Sequence, residues 1–372
     1  MNCTEKIASE INNTLKKELL SYSYDELEAL LVSLGEPKYR ASQLFTQLSR
    51  GTAPSAMPGI PKALAARLEE VAPYWLPQIE RKQVSAADGT VKYLFGLRDG
   101  CCVETVLMRY HHGNTVCVSS QVGCRMGCAF CASTIGGKVR DLYPGELLGQ
   151  VIAVAADTGE RVGNIVMMGI GEPLDNYDNV IAFLHLVNDR RGLDIGYRHI
   201  SLSTCGLADR IRRLAAEELP ITLSISLHAP DDETRSAIMP VNRRYPIAEL
   251  MEACRYYYGT TGRRISFEYT LIKGKNSSPA DAYRLAGLLN RSLRREGENM
   301  PIHVNLIPVN PVRETGLMPP DRAEISAFAA RLEEKGIRAT VRRRLGPDID
   351  AACGQLRRAS MQKSAEDGGN VT

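Results

Sequence analysis

Between about residues 142 and 344, short apolar segments typical of β-strands alternate with segments typical of α-helices. The strand segments share this apolar character and lie at Asn164–Met168, Ile200–Ser203, Thr222–Leu227, Ile265–Leu271, His303–Val309 and Arg338–Arg342. Such repetition predicts a parallel sheet or barrel, because parallel strands are joined by helical crossovers. Around six βα units fit the available length, fewer than the eight of a complete barrel. We therefore predict an α/β fold built on a partial (β/α)6 barrel.

A small helical module is predicted ahead of the barrel, over residues 1–80. Ser23 and Glu26 form a capping-box pattern before an apolar run with helical spacing. A second helix is predicted from about Tyr39 to Leu48, and a third begins after Pro61. The prolines Pro73 and Pro77 and the lone tryptophan Trp75 mark the boundary of this module.

A short β extension is predicted over residues 81–118. Asp88-Gly89 and Asp99-Gly100 are hairpin signals between β-rich runs. The rest of the chain is divided into a barrel core over residues 119–345, a C-terminal segment over 346–360 and a polar, Gly-rich tail over 361–372 that is predicted to be disordered.

Composition favours a cytoplasmic protein. The segment Met1–Ile7 has no apolar core, so no signal peptide is predicted, and no apolar run approaches the length of a membrane span. Ten cysteines without an export signal indicate thiolate chemistry in a reducing compartment. The net charge is only +3, but arginines cluster in pairs and in the triplet Arg342-Arg343-Arg344. Arginine binds phosphate bidentately, which is compatible with an RNA substrate, although a solvated helix face is the more common explanation of any single pair.

Three cysteines stand together in a CxxxCxxC pattern, at Cys124, Cys128 and Cys131. Thiolates bind soft metals, and four of them normally hold a cubane iron–sulfur cluster. With three thiolates, one iron is left free for an outside ligand. Structural zinc is the alternative, but zinc sites usually pair CxxC with a second such pair, and none lies nearby. The spacing is similar to that of the radical S-adenosylmethionine (SAM) superfamily, in which the open iron chelates SAM and an electron from the cluster cleaves it to a 5′-deoxyadenosyl radical.

Further motifs follow predicted strands, at the end where α/β barrels carry their sites. The turn Gly169–Pro173 contains Gly171-Glu172; glycine lets the backbone approach a ligand, and the carboxylate can accept hydrogen bonds from an ammonium group. An ordinary βα turn is the alternative. Polar groups at the next strand ends suit the ribose and adenine of a nucleoside, in the segments that contain Ser203, Ser226, His228 and Asn310. Taken alone, a histidine such as His228 more often belongs to a packed core.

The order of these motifs carries a family resemblance. The chain contains CVSSQVGC from Cys117, then CxxxCxxC, the GEP turn, LSTxG, SLHAP and finally DIDAACGQL from Asp348. In this order they resemble the RlmN/Cfr family of radical SAM enzymes, whose RlmN group comprises bacterial dual-specificity rRNA/tRNA adenine-C2 methyltransferases. The resemblance extends from about residue 20 to Arg358 and implies a radical SAM barrel.

The resemblance implies roles for individual residues. A [4Fe-4S] cluster is bound by Cys124, Cys128 and Cys131, and SAM is contacted by Gly171, Glu172, Ser203, Ser226, Leu227, His228 and Asn310. Cys353 carries the methyl group, Cys117 is the resolving thiol and Glu104 is the proton acceptor. By its pattern alone, Glu104 lies on an alternating strand, where a solvent-facing glutamate is the alternative. The helical module is implied to help dock RNA.

The resemblance also implies a substrate and partners. Two SAM molecules are used per turnover, one to methylate Cys353 and one to generate the radical. The targets are carbon 2 of an adenosine in the peptidyl-transferase centre of 23S rRNA and of the adenosine 3′ of the anticodon in certain tRNAs. An electron donor such as flavodoxin or ferredoxin, a monomeric state and a cytoplasmic location are expected. The alternatives are a Cfr-type methyltransferase acting on carbon 8 and a non-catalytic iron–sulfur protein that binds RNA.

Overall fold

The computed structural model describes residues 16–294, 300–311, 315–343, 345–346 and 348–349. The helices of this part are α1 (Tyr24–Ser33), α2 (Tyr39–Leu48), α3 (Lys62–Val71), α4 (Pro144–Thr158), α5 (Tyr177–Asn188), α6 (Ala208–Ala216), α7 (Asp232–Ile238), α8 (Ile247–Thr261), α9 (Pro279–Leu293) and α10 (Arg322–Glu334). None of these helices combines the length and the apolar character needed to cross a membrane. Cys353 and the predicted tail, residues 361–372, lie outside the described residues.

Most strands join in a single mixed sheet. The strands are β1 (Gln78–Val84), β2 (Val91–Gly96), β3 (Cys102–Tyr110), β4 (Gly113–Cys117), β5 (Gln121–Gly123), β6 (Lys138–Asp141), β7 (Asn164–Met167), β8 (Ile200–Thr204), β9 (Thr222–Ser226), β10 (Ile265–Leu271), β11 (Ile302–Pro308) and β12 (Arg338–Val341). The order is β1-β2-β3-β4-β7-β8-β9-β10-β11-β12, and β5 pairs separately with β6. Strands β1 to β4 are antiparallel, and every pair from β4–β7 to β11–β12 is parallel.

The predicted partial (β/α)6 barrel is confirmed. The six predicted strands are β7 to β12, and helices lie between successive strands as expected for βα units. The strand β4 lies beside β7 and runs parallel to it, so the hairpins of the β extension continue directly into the barrel sheet.

The two faces of this sheet differ sharply in polarity. On the outer face, Tyr269 of β10 packs on Phe328 of α10, with 5.4 Å between ring centroids. On the inner face, polar side chains bond from strand to strand, because residues that are directly opposite in register, or displaced from that position by two residues, share a face. Examples are Ser201–Ser224 at 3.1 Å, Ser266–His303 at 3.2 Å and His303–Thr340 at 3.1 Å. The interior of this barrel is therefore hydrogen-bonded and polar, unlike the branched apolar filling usual in complete barrels.

The N-terminal helices pack through a common set of buried leucines. The predicted capping box is present at the start of α1, since the Glu26 amide donates to Ser23 Oγ at 3.2 Å and the Ser23 amide to Glu26 Oε2 at 2.8 Å. The buried residues of the three helices include Leu27, Leu31, Leu44, Leu48, Leu64 and Leu68. The first turn of α4 meets this module where the Gly145 amide donates to Ser21 Oγ at 2.9 Å. That contact joins the helical module to the barrel.

The segment after β12 returns to the hairpin between β1 and β2. The carboxylate of Asp348 accepts hydrogen bonds from Ser85 Oγ at 2.5 Å and from the Ala86 amide at 2.8 Å. In the opposite direction, the Gly346 amide donates to the carboxylate of Asp88 at 2.9 Å. Because β1 and β12 are the two ends of the sheet order, this reciprocal contact bridges the first and last strands.

Candidate active site

A short two-stranded sheet closes the loop that carries the three cysteines. Strands β5 and β6 pair directly before Cys124 and after Cys131, and the Cys124 amide donates to the Gly137 carbonyl at 3.1 Å. Gly123 has a φ of +76°, and a Cβ added there would lie 2.0 Å from the Gly137 oxygen. Only glycine fits this position, so the close approach of the two strands fixes where the loop begins and ends.

The chemistry of this loop fits a metal cluster. Burial raises the pKa of the Cys124 thiol to about 12, and it also raises the pKa of Cys128, with the neighbouring cysteines adding to both shifts. A thiolate at such a position needs a nearby positive charge, which iron supplies. Within the described residues, no three Cys, His, Asp or Glu side chains converge closely enough to hold a single ion. A cubane spreads its thiolate ligands over separate irons and does not require that convergence.

A cavity of about 270 Å³ lies beside the loop, at the carboxyl ends of the parallel strands. Its lining contains most of the residues that were assigned to the cluster and to SAM: Cys124, Cys128, Cys131, Gly171, Glu172, Ser203, Ser226, His228 and Asn310. Leu227 is fully buried behind this lining, and its amide donates to the Glu268 carbonyl at 3.1 Å. The structure thus brings together the predicted cluster residues and the predicted SAM residues.

The GEP turn is held in one conformation by backbone contacts. Gly171 has a φ of +108°, and an added Cβ would lie 2.7 Å from the backbone and side chain of Gln121. The next residue, Glu172, accepts hydrogen bonds from the Cys205 amide at 2.7 Å and the Leu174 amide at 3.0 Å. Burial raises the pKa of this carboxyl, and the two amides oppose that shift. Since each carboxylate oxygen has two lone pairs, Glu172 can accept a further hydrogen bond from a ligand in the cavity.

Gln121 connects the GEP turn to the cysteine loop, and the sequence analysis gave it no role. Its side-chain oxygen accepts from the Glu172 amide at 2.9 Å, while its nitrogen donates to Asp141 at 2.8 Å and to Asp175 at 2.9 Å. Asp175 is also paired with Lys138 at 3.0 Å. No local pattern could have identified this function, because the two carboxylates are 20 and 54 positions away in sequence.

His228 has an unusual backbone and a neutral ring. Its φ is +56°, and its Nδ1 accepts a hydrogen bond from the Thr270 amide at 2.9 Å. Burial lowers the pKa of the imidazole to about 3, and the positive charge of Arg235 contributes. The ring packs edge-on against Phe130 of the cysteine loop, with 4.8 Å between centroids. His228 is therefore an uncharged side chain on the cavity wall, with its proton on Nε2.

The side chain of Arg235 connects the segments that follow two barrel strands. Its guanidinium is fully buried and donates to the Cys205 carbonyl at 2.6 Å, the Leu227 carbonyl at 3.1 Å and the Asn242 side chain at 2.9 Å. Burial lowers the pKa of this group. Since Cys205 follows β8 and Leu227 follows β9, one side chain fixes the relative position of two segments that line the site.

Glu104 and Cys117 lie on the inner face of the sheet but outside the cavity lining. Glu104 is 2% exposed and forms an ion pair with the buried Lys92 at 3.0 Å, which excludes the solvent-facing alternative. Cys117 lies opposite Val106 in the register of β3 and β4. Glu104 precedes Val106 by two residues on β3, so Glu104 and Cys117 lie on the same face of the sheet. Burial raises the pKa of the Cys117 thiol, while the charges of Arg342 and Lys92 lower it.

The fold and this cavity define a radical SAM enzyme. The model of the radical SAM superfamily matches residues 118–286, from the end of β4 into α9. A crystal structure of a radical SAM methyltransferase from Sphaerobacter thermophilus superposes with a TM-score of 0.86 at 43% identity, covering 91% of this chain and 98% of that chain.

Curated relatives define the family more narrowly. A probable dual-specificity RNA methyltransferase RlmN from Lachnospira eligens is 50% identical over 355 residues, which cover 95% of this chain and 99% of the relative. Another of the same description, from Desulforamulus reducens, is 50% identical over 357 residues, with the same coverage of both chains. The chain therefore belongs to the RlmN family of radical SAM RNA methyltransferases.

Proposed function

We propose that this protein methylates carbon 2 of adenosine in RNA, at the peptidyl-transferase centre of 23S rRNA and at the adenosine 3′ of the anticodon in certain tRNAs. The strongest support is the single cavity lined by the three cysteines, the GEP turn and the polar strand ends. The similar proteins from Lachnospira eligens and Desulforamulus reducens are described as probable dual-specificity RNA methyltransferases, which agrees with this substrate class.

The residues of the cavity divide between two ligands. Cys124, Cys128 and Cys131 would hold the [4Fe-4S] cluster, whereas Gly171 and Glu172 would bind the amino group of SAM. Ser203, Ser226, Leu227, His228 and Asn310 would contact the rest of SAM. When bound, the cluster and two SAM molecules per turnover supply the methyl group and the one-electron chemistry. Two of the side chains that would bind SAM are already held in place, since the carboxylate of Glu172 and the ring of His228 accept hydrogen bonds from backbone amides.

Three further residues would carry the covalent steps. Carbon 2 of adenine has no nucleophilic lone pair, so the methyl group is first placed on the sulfur of Cys353, a good nucleophile as thiolate. A hydrogen atom of this S-methyl group would be removed by the radical chemistry of the site, and the carbon would then bond to carbon 2 of the base. Glu104 would accept the proton from carbon 2, and the unpaired electron of the adduct would return to the cluster. The Cys117 thiolate would attack the Cys353 sulfur, the electron pair of the breaking carbon–sulfur bond would go to the carbon, and a proton added there would complete the methyl group of the released RNA. The resulting Cys117–Cys353 disulfide is reduced by two electrons before the next cycle.

The positions of Glu104 and Cys117 support this assignment. Both lie on the inner face of the sheet, and Lys92 orients the Glu104 carboxylate through their 3.0 Å ion pair. The N-terminal helical module, residues 1–80, would help dock RNA. We further propose a monomer in the cytoplasm that receives electrons from a flavodoxin or ferredoxin.

The decisive experiment is mass spectrometry of nucleosides from rRNA and tRNA of cells that lack their own enzyme, with and without this gene. We expect 2-methyladenosine in both RNA pools. Appearance of 8-methyladenosine instead would contradict the carbon-2 assignment and favour the Cfr-type activity. Absence of any methyladenosine from cells containing cluster-loaded protein would contradict RNA methylation.

Cysteine variants test the covalent steps. Cys353→Ala should retain the cluster and form no product, and Cys117→Ala should accumulate protein joined covalently to RNA on a denaturing gel. Cys254→Ala is a matched control, because Cys254 is fully buried in α8 and has no proposed role. Product formation by the Cys353 variant, or only free protein with the Cys117 variant, would contradict the respective role.

A further inference from the structure

We propose that Glu268 is an additional SAM-binding residue, whose carboxylate accepts hydrogen bonds from the two ribose hydroxyls. This inference rests on the proposed function, because it takes SAM to be the ligand of the cavity. Glu268 belongs to none of the sequence motifs, and it lies within Ile265–Leu271, where polar and apolar residues alternate.

The position of Glu268 is internal and faces the cavity. The residue is 3% exposed and forms part of the cavity lining. In the parallel ladder it lies opposite Ser226 on one side and Asn305 on the other. Its own carbonyl accepts hydrogen bonds from the Leu227 and His228 amides, so the backbone of Glu268 also holds the neighbouring segment of the site.

The carboxylate of Glu268 is incompletely satisfied. Oε1 accepts a long hydrogen bond of 3.3 Å from Ser266 Oγ, and no donor of the described residues lies within hydrogen-bond distance of Oε2, although the side chains of Asn305 and Ser224 are close enough to favour the charged carboxylate. Burial raises the pKa of this group, and the charge of Arg342 opposes the shift. Buried carboxylate oxygens are almost always hydrogen-bonded, because leaving one without a partner is costly. An O–H donor from a ligand in the cavity would satisfy this oxygen.

The ribose of SAM is the part of the ligand that matches this acceptor. A vicinal diol presents two O–H donors, and acidic residues bind ribose in this way in other nucleotide sites. The GEP turn follows β7, and Glu268 lies on β10, three strands further along the sheet. Three interstrand spacings correspond to about 14 Å. Glu172 and Glu268 line the same cavity, so a ligand with its amino group at Glu172 can place its nucleoside end near Glu268.

The experiment measures equilibrium binding to cluster-loaded protein and does not depend on turnover. The two ligands are S-adenosylhomocysteine and its 2′,3′-dideoxyribose analogue. We expect Glu268→Gln to weaken binding of S-adenosylhomocysteine about tenfold, because charge-assisted hydrogen bonds are replaced by neutral ones. The same variant should bind the dideoxy analogue with wild-type affinity. Glu249→Gln, on the exposed side of α8, is the matched control and should change neither affinity.

Two outcomes would overturn the inference: unchanged affinity of Glu268→Gln for S-adenosylhomocysteine, or an equal loss for both ligands. Glu268→Asp keeps the charge but shortens the side chain, and it provides the same comparison if the glutamine variant does not fold. The proposed function is tested separately. Wild-type protein that forms no 2-methyladenosine but binds the ribose ligand in a Glu268-dependent manner would refute the reaction and leave the ribose contact intact.

Discussion

Replacement of Arg235 by methionine tests how the ends of β8 and β9 are held together. The guanidinium is fully buried, and its partners are neutral oxygens, among them the carbonyls of Cys205 and Leu227. Methionine has a similar volume but no donor, so these acceptors would lose their partner in a place that water does not reach. Loss of one side of such a buried network costs about 3–5 kcal/mol in the free energy of unfolding. At an unfolding entropy of about 2.1 cal/mol/K per residue, this corresponds to a decrease in Tm of about 4 to 6 °C.

The assay is thermal unfolding followed by circular dichroism, combined with binding of S-adenosylhomocysteine. Arg235→Lys keeps the charge but loses the planar set of donors, and it should fall between wild type and Arg235→Met. Arg210→Met is the control, since Arg210 is partly exposed on α6. A Tm of Arg235→Met within about 1 °C of wild type would refute the reasoning, because it would mean that the buried network adds nothing to the net stability.

Two further predictions concern backbone strain at Gly171 and the burial of the Glu18 carboxyl group. Gly171→Ala should lower both Tm and S-adenosylhomocysteine affinity more than Gly262→Ala, as measured by the same two assays; both glycines have positive φ, but an added Cβ meets Gln121 only at Gly171. Equal effects of the two variants would contradict this. For Glu18, burial and then the charge of Glu146 raise the pKa to about 7, so the folded state keeps a proton that the unfolded state releases above about 4.5. The free energy of unfolding should therefore fall between about pH 4.5 and 7. Glu18→Gln should remove this dependence and stabilise the protein by about 2–3 kcal/mol at pH 8 in denaturant titrations. A wild-type-like pH profile of the variant would contradict the assignment.

The sequence predicted the elements of this fold closely, because the signals for them are local. The observed α2 has the predicted limits, Tyr39 and Leu48, and the capping box at Ser23 is formed. Each strand from β7 to β12 begins and ends within one residue of its predicted position. A short apolar segment between turn residues usually forms a β-strand, so the limits of the strand can be predicted without knowing which other strands it pairs with.

The environment of individual polar residues could not be predicted in this way. Arg235 lies in a helix whose sequence is typical of a solvated surface, and its burial results from carbonyls contributed by two distant strands. The sequence pattern around Glu104 was also compatible with a surface position. In the structure, the ion pair with Lys92 on the adjacent strand makes burial of the Glu104 carboxylate possible. Glu268 was not recognised for a related reason, since Ser266, Glu268 and Thr270 alternate with apolar residues, a pattern that is equally typical of a strand with one solvent-facing side. Each of these depends on contacts that are remote in sequence.

The contact between Asp348 and the hairpin at Ser85 can form only late in the synthesis of the chain. The Asp348 carboxylate and the Ala86 amide that it binds are separated by 262 positions. At about 5 to 20 residues per second, the ribosome delivers Asp348 some tens of seconds after the hairpin has emerged. The antiparallel strands can pair during that interval, but the contact that precedes Cys353 by five residues must wait until Asp348 has emerged. A nascent chain interrupted between β12 and Cys353 therefore contains the barrel strands without the residue proposed to carry the methyl group, and such a partial product should lack the proposed activity.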